Sequence, residues 1–157
     1  NVIKQAGIDY VIAFPLSGIE TLIAVVKGCH EYGLEVIIGG EMTHKGYLKA
    51  EGGYIDNEAP AKIYTDAAQL GAKAFVVPGT KIDSIRRYRK LVEASVVSPS
   101  FFFPGIGRGQ GGDIVQAFEA AMPHNSYAIV GRGIYAEPDP SSAALTLWSA
   151  VSHRFGS

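Results

Sequence analysis

Three observations predict an α/β protein built on parallel strands. Short, nearly all-apolar runs recur along the chain, amphipathic segments of helical period separate them, and glycine or proline closes almost every run. Strands of a parallel sheet are covered on both faces, so they read as continuous hydrophobic stretches rather than alternating ones. With 47% hydrophobic and 18% charged residues, the 157-residue chain can bury a core, so these runs are read as core.

The chain opens on Asn1-Val2-Ile3-Lys4-Gln5-Ala6-Gly7, read as the tail of a helix stopped by Gly7, in a chain expected to begin inside a larger protein. Tyr10–Phe14 is the first strand, expected to be buried on both faces and ended by Pro15. Ser17 and Glu20 have capping-box spacing, and Ile19, Leu22, Ile23, Val26 and Cys29 follow on one helical stripe until Gly33. Leu34–Ile38 is the second strand, running into Gly39-Gly40-Glu41-Met42-Thr43. The polar, glycine-containing stretch from His44 to Ala59 reads as a flexible loop, too long for a simple connection. A helix from about Pro60 to Leu70 stops at Gly71, and Ala74–Val77 forms the third strand, closed by Pro78-Gly79. Thr80 and Asp83 repeat the capping-box spacing before Ile82, Ile85, Leu91 and Val92. The fourth strand lies near Phe101–Phe103, followed by Pro104-Gly105 and a helix from about Asp113 to Met122. Tyr127–Val130 is the fifth strand. Asp139-Pro140 then supplies an N-cap and a first-turn proline for a last helix with Ala144, Leu147, Trp148, Val151 and Phe155 on its apolar face.

Two architectures fit this alternation, an open doubly wound sheet and a (β/α)₈ barrel. A barrel needs roughly 250 residues, so about five βα units make only part of one. The chain is expected to form one domain over residues 1–157.

Composition narrows the function. A net charge of -1 argues against a nucleic-acid surface or a polybasic membrane anchor. The basic cluster Lys81, Arg86, Arg87, Arg89 and Lys90 reads as the solvated face of a helix. A single cysteine, Cys29, rules out an internal disulfide and is expected to be a buried thiol. No run of apolar residues has transmembrane length, and a cytoplasmic location is the expectation.

Ligands of either architecture collect beyond the C-terminal strand ends. After the fourth strand, Pro104–Asp113 holds five glycines and feeds a helix N-terminus, a backbone suited to an anion such as phosphate. After the fifth strand, Gly131-Arg132-Gly133 offers a guanidinium whose planar fork can grip phosphate in bidentate fashion. Glycine-rich loops alone are weak signals; one paired with an arginine on the neighbouring strand end is stronger. Glu41, Thr43 and His44 cluster at the second strand end. Acid–base roles are open to Glu41 and His44, but satisfying loop backbone groups is the simpler reading. No histidine or cysteine pattern has zinc-ligand spacing. His30, His124 and His153 fall near helix ends or in loops, where capping or solvent exposure is the expectation, and Phe101–Phe103 reads as strand core.

Taken in order, Glu41-Met42-Thr43-His44, Pro78-Gly79-Thr80, Pro104-Gly105-Ile106-Gly107 with Gln110-Gly111-Gly112-Asp113, and Ile129–Tyr135 resemble the archaeal-type branch of orotidine 5′-monophosphate decarboxylase. Each motif is common in phosphate-binding barrels, but the ordered set is specific. The resemblance spans nearly the whole chain, from the family's fourth strand to its final helix. It implies a partial (β/α)₈ barrel and a homodimeric enzyme that converts orotidine monophosphate to UMP without metal or organic cofactor, with neither nucleic acid nor membrane as partner. By the same resemblance Thr43 would bond the pyrimidine edge, where serine is usual. Pro104 and Gly105 would line the site, and Gln110 with the Gly111 and Gly112 backbone would hold the phosphate. Gly131 and Arg132 would complete that grip.

The chain departs from the family in three places. Arg108-Gly109 lengthens the phosphate loop by one residue, so Arg108 could add a second positive group there. Lys45 replaces a common proline. The D-x-K-x-x-D array, whose lysine protonates the ring carbon after CO₂ loss, has no counterpart here; the catalytic residues are expected upstream of Asn1. Two other functions stay open: a sugar-phosphate decarboxylase or synthase of the same suprafamily, and a non-catalytic phosphate-binding module.

Overall fold

In a computed structural model that describes residues 2–107 and 111–156, the apolar runs pair in the order the chain visits them. The five parallel strands are β1 (Tyr10–Ala13), β2 (Glu35–Gly39), β3 (Ala74–Val76), β4 (Ser100–Pro104) and β5 (Asn125–Ile129). The helices are α1 (Val2–Gln5), α2 (Ile19–Glu31), α3 (Ala59–Gln69), α4 (Ile82–Glu93), α5 (Ile114–Ala121), α6 (Arg132–Tyr135) and α7 (Pro140–Phe155).

Strand order separates the two architectures. A doubly wound sheet reverses direction at a switch point and carries helices on both faces. Here β1 to β5 never reverse, and successive helices pack on one another, α2 on α3, α3 on α4, α4 on α5 and α5 on α7. One helical layer outside a sequential parallel sheet is the winding of a barrel, so the fold is an arc of a (β/α)₈ barrel.

The register alternates side chains between the two sides of that arc. Val36, Ile38, Phe75, Val77, Phe101 and Phe103 face the helices and meet Leu22, Val26, Tyr64, Ile85, Tyr88 and Val92 in the main core. Gly40 lets α3 come close, since a Cβ there would lie 3.1 Å from the Pro60 backbone. On the inner side Ile37, Ala74 and Val76 gather with Phe14 and Phe102, and Phe102 stacks on Tyr127 with ring centroids 4.7 Å apart.

Several expectations are corrected. β1 is not buried on both faces: Tyr10 and Ile12 are 58% and 50% exposed, because the inner side of an arc lacks strands opposite. Neither proposed capping box forms. The N-cap of α2 is Gly18 and that of α4 is Lys81, both without a side-chain cap, since the chain enters each helix one residue later than the spacing suggests. β5 starts two residues before the predicted Tyr127 and ends at Ile129. Trp148, placed on the apolar face of α7, is exposed; Val151 is the buried residue of that helix. The caps at Asp113 and Asp139 do form, their carboxylates accepting from Gln116 N and Ser142 N at 2.9 and 3.1 Å. Cys29 is buried, and burial raises its thiol pKa. Among the described residues no helix is long and apolar enough to cross a membrane.

Candidate functional site

The C-terminal ends of β2 to β5 bring most of the predicted residues together, in two halves. The first half lies past β2 and β3. Glu41 is 3% exposed, the one charged residue buried among the described residues. The Lys81 ammonium donates to its Oε1 at 2.7 Å, and the Tyr88 hydroxyl donates to its Oε2 at 2.6 Å. Burial and the bond to Glu41 both push the Tyr88 hydroxyl pKa upward, so Tyr88 stays a donor. Glu41 N–H donates to the Tyr64 hydroxyl at 3.2 Å, and that hydroxyl donates to Val76 O at 2.8 Å. The Glu41 side chain therefore bonds side chains from α4 and its N-cap, not the loop backbone groups expected of it. Lys81 likewise leaves the solvated helix face, because it caps α4 and turns to the carboxylates; Arg86, Arg87 and Lys90 remain on that face.

The stretch from His44 to Ala59, expected to be flexible, is structured. Lys49–Glu51 forms a short 3₁₀ turn, Leu48 bridges Ile55, and the Tyr47 hydroxyl donates to Gly40 O at 3.0 Å. Glu51 Oε1 accepts from Lys81 at 2.6 Å. That bond holds the Glu51 carboxyl below its ordinary range. Burial works against the Lys81 charge, but its bonds to Glu41 and Glu51 outweigh this and raise its pKa.

The second half is made of backbone. Gly105 and Gly107 have φ of 85° and 105°, which L-residues with side chains rarely adopt. Gly112 N–H donates to Gly105 O at 3.0 Å and Gly107 N–H to Gly112 O at 3.2 Å, closing the loop on itself. A Cβ on Gly112 would lie 2.5 Å from Gly105 O, so only glycine fits. A Cβ on Gly107 would stand 3.5 Å from Gly133 Cα, so the loops after β4 and β5 touch. Arg132, exposed, begins α6 directly beyond Gly131. Among the described residues it has no carboxylate partner.

The halves meet at Gly105. A Cβ there would lie 3.0 Å from Thr43 Cγ2 and 3.1 Å from Thr80 Cγ2. Thr80 Oγ1 is buried with no hydrogen-bond partner among the described residues. A cavity of about 420 Å³ opens beside Gly107 and Gly133; among the described residues its lining carries Glu137 and Asp139 and no Lys or Arg. An anion is therefore better held by the glycine loops and Arg132 than in that cavity. The first turn of α5 is also a poor anion site, because the Asp113 carboxylate already occupies it.

Thr43, Pro104, Gly105, Gly111, Gly112, Gly131 and Arg132 thus share one end of the sheet; Gln110 and Arg108 lie outside the described residues. Sequence reasoning missed the Lys81–Glu41–Tyr88 network. Its signal was a carboxylate placed right after a fully apolar strand, where a charge needs a partner. His124, expected to cap or face solvent, instead sits 2.7 Å from Glu93 Oε1 with its side chain 10% exposed.

A family profile described as "Orotidine 5'-phosphate decarboxylase / HUMPS family" matches residues 1–147. Orotidine 5′-phosphate decarboxylase of Pyrococcus abyssi is 32% identical over 149 residues, covering 95% of this chain and 64% of that protein. The Methanosarcina barkeri protein of the same name is 31% identical over 156 residues, covering 96% and 63%. Among solved structures, the decarboxylase of Methanocaldococcus jannaschii complexed with inhibitor BMP superposes with a TM-score of 0.75 at 26% identity, over 92% of this chain and 62% of that one. The Metallosphaera sedula enzyme, at 22% identity and TM-score 0.65, shares the fold. The chain spans a little under two thirds of the length of these relatives.

Proposed function

The chain belongs to the orotidine 5′-phosphate decarboxylase / HUMPS family, and from that premise we propose that it supplies the phosphate and pyrimidine contacts of an orotidine monophosphate decarboxylase. The observation that carries this reading is the convergence at Gly105 and Gly107: Thr43 on one side, the paired glycine loops and Arg132 on the other. Arg132 with Gly131, Gln110 and the Gly111–Gly112 backbone grips the phosphate. Pro104 and Gly105 shape the floor, and Thr43 bonds the pyrimidine edge. Gly112 acts mainly by letting the backbone approach, since its N–H is already given to Gly105 O.

In this reaction the bond from the ring to the carboxylate breaks, its electron pair stays on the ring carbon, and a proton replaces CO₂. The 157 residues carry no D-x-K-x-x-D array to press on the carboxylate and deliver the proton, and their contribution is binding energy remote from the ring. The reading includes a homodimer, a cytoplasmic enzyme of pyrimidine synthesis, and no metal or organic cofactor.

The test is decarboxylation of orotidine monophosphate followed by ultraviolet absorbance, with the natural gene product and with the 157-residue chain. Turnover by the gene product alone is the expected result. Failure of the gene product to turn over, with ribose 5-phosphate bound as tightly as UMP, would move the reading to a sugar-phosphate enzyme of the family.

A further inference from the structure

The charged network past β2 and β3 has an architecture that the ligand contacts do not explain. Lys81 is bound by two carboxylates that lie in different structural contexts. Glu41, on the strand end, has its side chain 1% exposed, whereas Glu51, in the 3₁₀ turn of the 44–58 loop, is 29% exposed. Lys81 itself is the N-cap of α4, one residue after Thr80, whose methyl packs at Gly105. Glu41 stands two residues before Thr43, which packs at the same glycine. One ammonium therefore ties together the loop, the β2 end and the β3 end, all at the Thr43 side of the site.

The energetics differ across the ammonium. The inner pair is fixed: the carboxylate is desolvated, its second oxygen is taken by Tyr88, and removing either partner would strand a buried charge. The outer pair is partly exposed, so it can be broken at modest cost. Glu51 Oε2 also accepts from Leu48 N at 3.4 Å, so losing the carboxylate releases the turn as well as the ammonium.

We propose that Lys81 is a positioning residue: anchored on buried Glu41, it latches the 44–58 loop through Glu51 and so sets Thr43 for the base of the nucleotide, independently of the phosphate grip. This rests on the functional reading above only for the identity of the ligand; the latch itself is a property of the free protein.

The test uses the natural gene product and two readouts. Trypsin cleavage after Lys49, without ligand, reports the latch. Glu51→Ala should speed it about tenfold, the scale of a lost charge-assisted bond, with Glu51→Gln between Ala and wild type. Cleavage outside residues 44–58 and far-ultraviolet circular dichroism should not change. The double variant Glu41→Gln/Lys81→Met removes the buried charge pair together, keeps an acceptor for Tyr88, and should open the loop as much as Glu51→Ala. The second readout is binding of UMP against ribose 5-phosphate. Glu51→Ala should weaken UMP about fivefold and leave ribose 5-phosphate unchanged, a split that general destabilisation would not give. Unchanged cleavage after Lys49 in both variants overturns the latch. Equal loss for both ligands overturns the positioning of Thr43. Wild type that binds neither ligand counts against the functional reading alone, because the cleavage comparison still decides the latch.

Discussion

The two halves of the site are built by opposite means. Past β2 and β3, side chains brace one another: Lys81 joins Glu41 and Glu51, Tyr88 joins Glu41, and the Tyr47 and Tyr64 hydroxyls hold the Gly40–Glu41 peptide from either side. Past β4 and β5, Gly107, Gly112 and Gly133 bring backbone to backbone, and Arg132 stands exposed. The first half satisfies its own charges, whereas the second leaves a cation to be satisfied by something else. A pre-satisfied half orients and an unsatisfied half attracts. A substitution at the buried core of the first should therefore be felt as stability, and one at the cation of the second as affinity for the phosphate.

The largest effect follows from Glu41→Ala. It removes the partner of Lys81 and of the Tyr88 hydroxyl in a site closed to water, which costs about 3–5 kcal/mol for a broken buried pair. Chemical denaturation of wild type and variant would measure it. A loss below about 1 kcal/mol, the range of a surface pair, would erase the distinction between the halves. Next comes Arg132→Ala. Its side chain is exposed and holds no partner among the described residues, so the melting temperature should barely move. Affinity for UMP should fall by about 10- to 100-fold, as for a lost charge-assisted contact to phosphate, and calorimetric titration would show it. A variant that loses stability but keeps affinity would place Arg132 in the scaffold instead.

How much of this was legible in the sequence follows the same division. The five strands and their glycine or proline stops could be read because burial on a parallel sheet imposes composition locally. The glycine loops could be read because a backbone that must approach closely excludes side chains, and Gly105, Gly107 and Gly112 carry that exclusion in their identities. The Asp139 cap needs only its own neighbours, and it was visible. The Glu41–Lys81 pair joins residues 40 apart, and no local period reports it. The false capping boxes at Ser17 and Thr80 show the complementary error. Spacing was right, but Gly18 with φ 126° carries the chain into α2, and Thr80 is drawn down against Gly105. The exposure of Tyr10 and Ile12 was hidden for a third reason: a strand's composition suits a closed barrel whether or not strands face it.

The smallest effect is one of pH, and it tests whether the braced half is closed by charge or by packing. The Lys81 ammonium holds the Glu51 carboxyl below its ordinary value of 4.5, so the stabilisation it gives is fully present above that pH. It is lost as pH falls through the depressed folded value. Lys81 moves the other way: burial opposes its charge, yet its bonds to Glu41 and Glu51 raise it above 10.5. Its contribution is present below that pH and lost as pH rises through the folded value. A charge-closed loop should therefore keep a constant opening equilibrium from about pH 5 to pH 10, the interval between the two ordinary values. Hydrogen exchange at the Leu48 and Gly53 amides, corrected for the intrinsic pH dependence of exchange, measures that equilibrium. It should show opening below pH 4.5 in wild type and at no particular acid pH in Glu51→Ala. The same acid opening in both proteins would mean that the loop's other bonded carboxylate, Asp56, which accepts from the Glu58 N–H and from Lys49, carries the acid dependence, and the ammonium would then be an anchor for β2 and α4 alone.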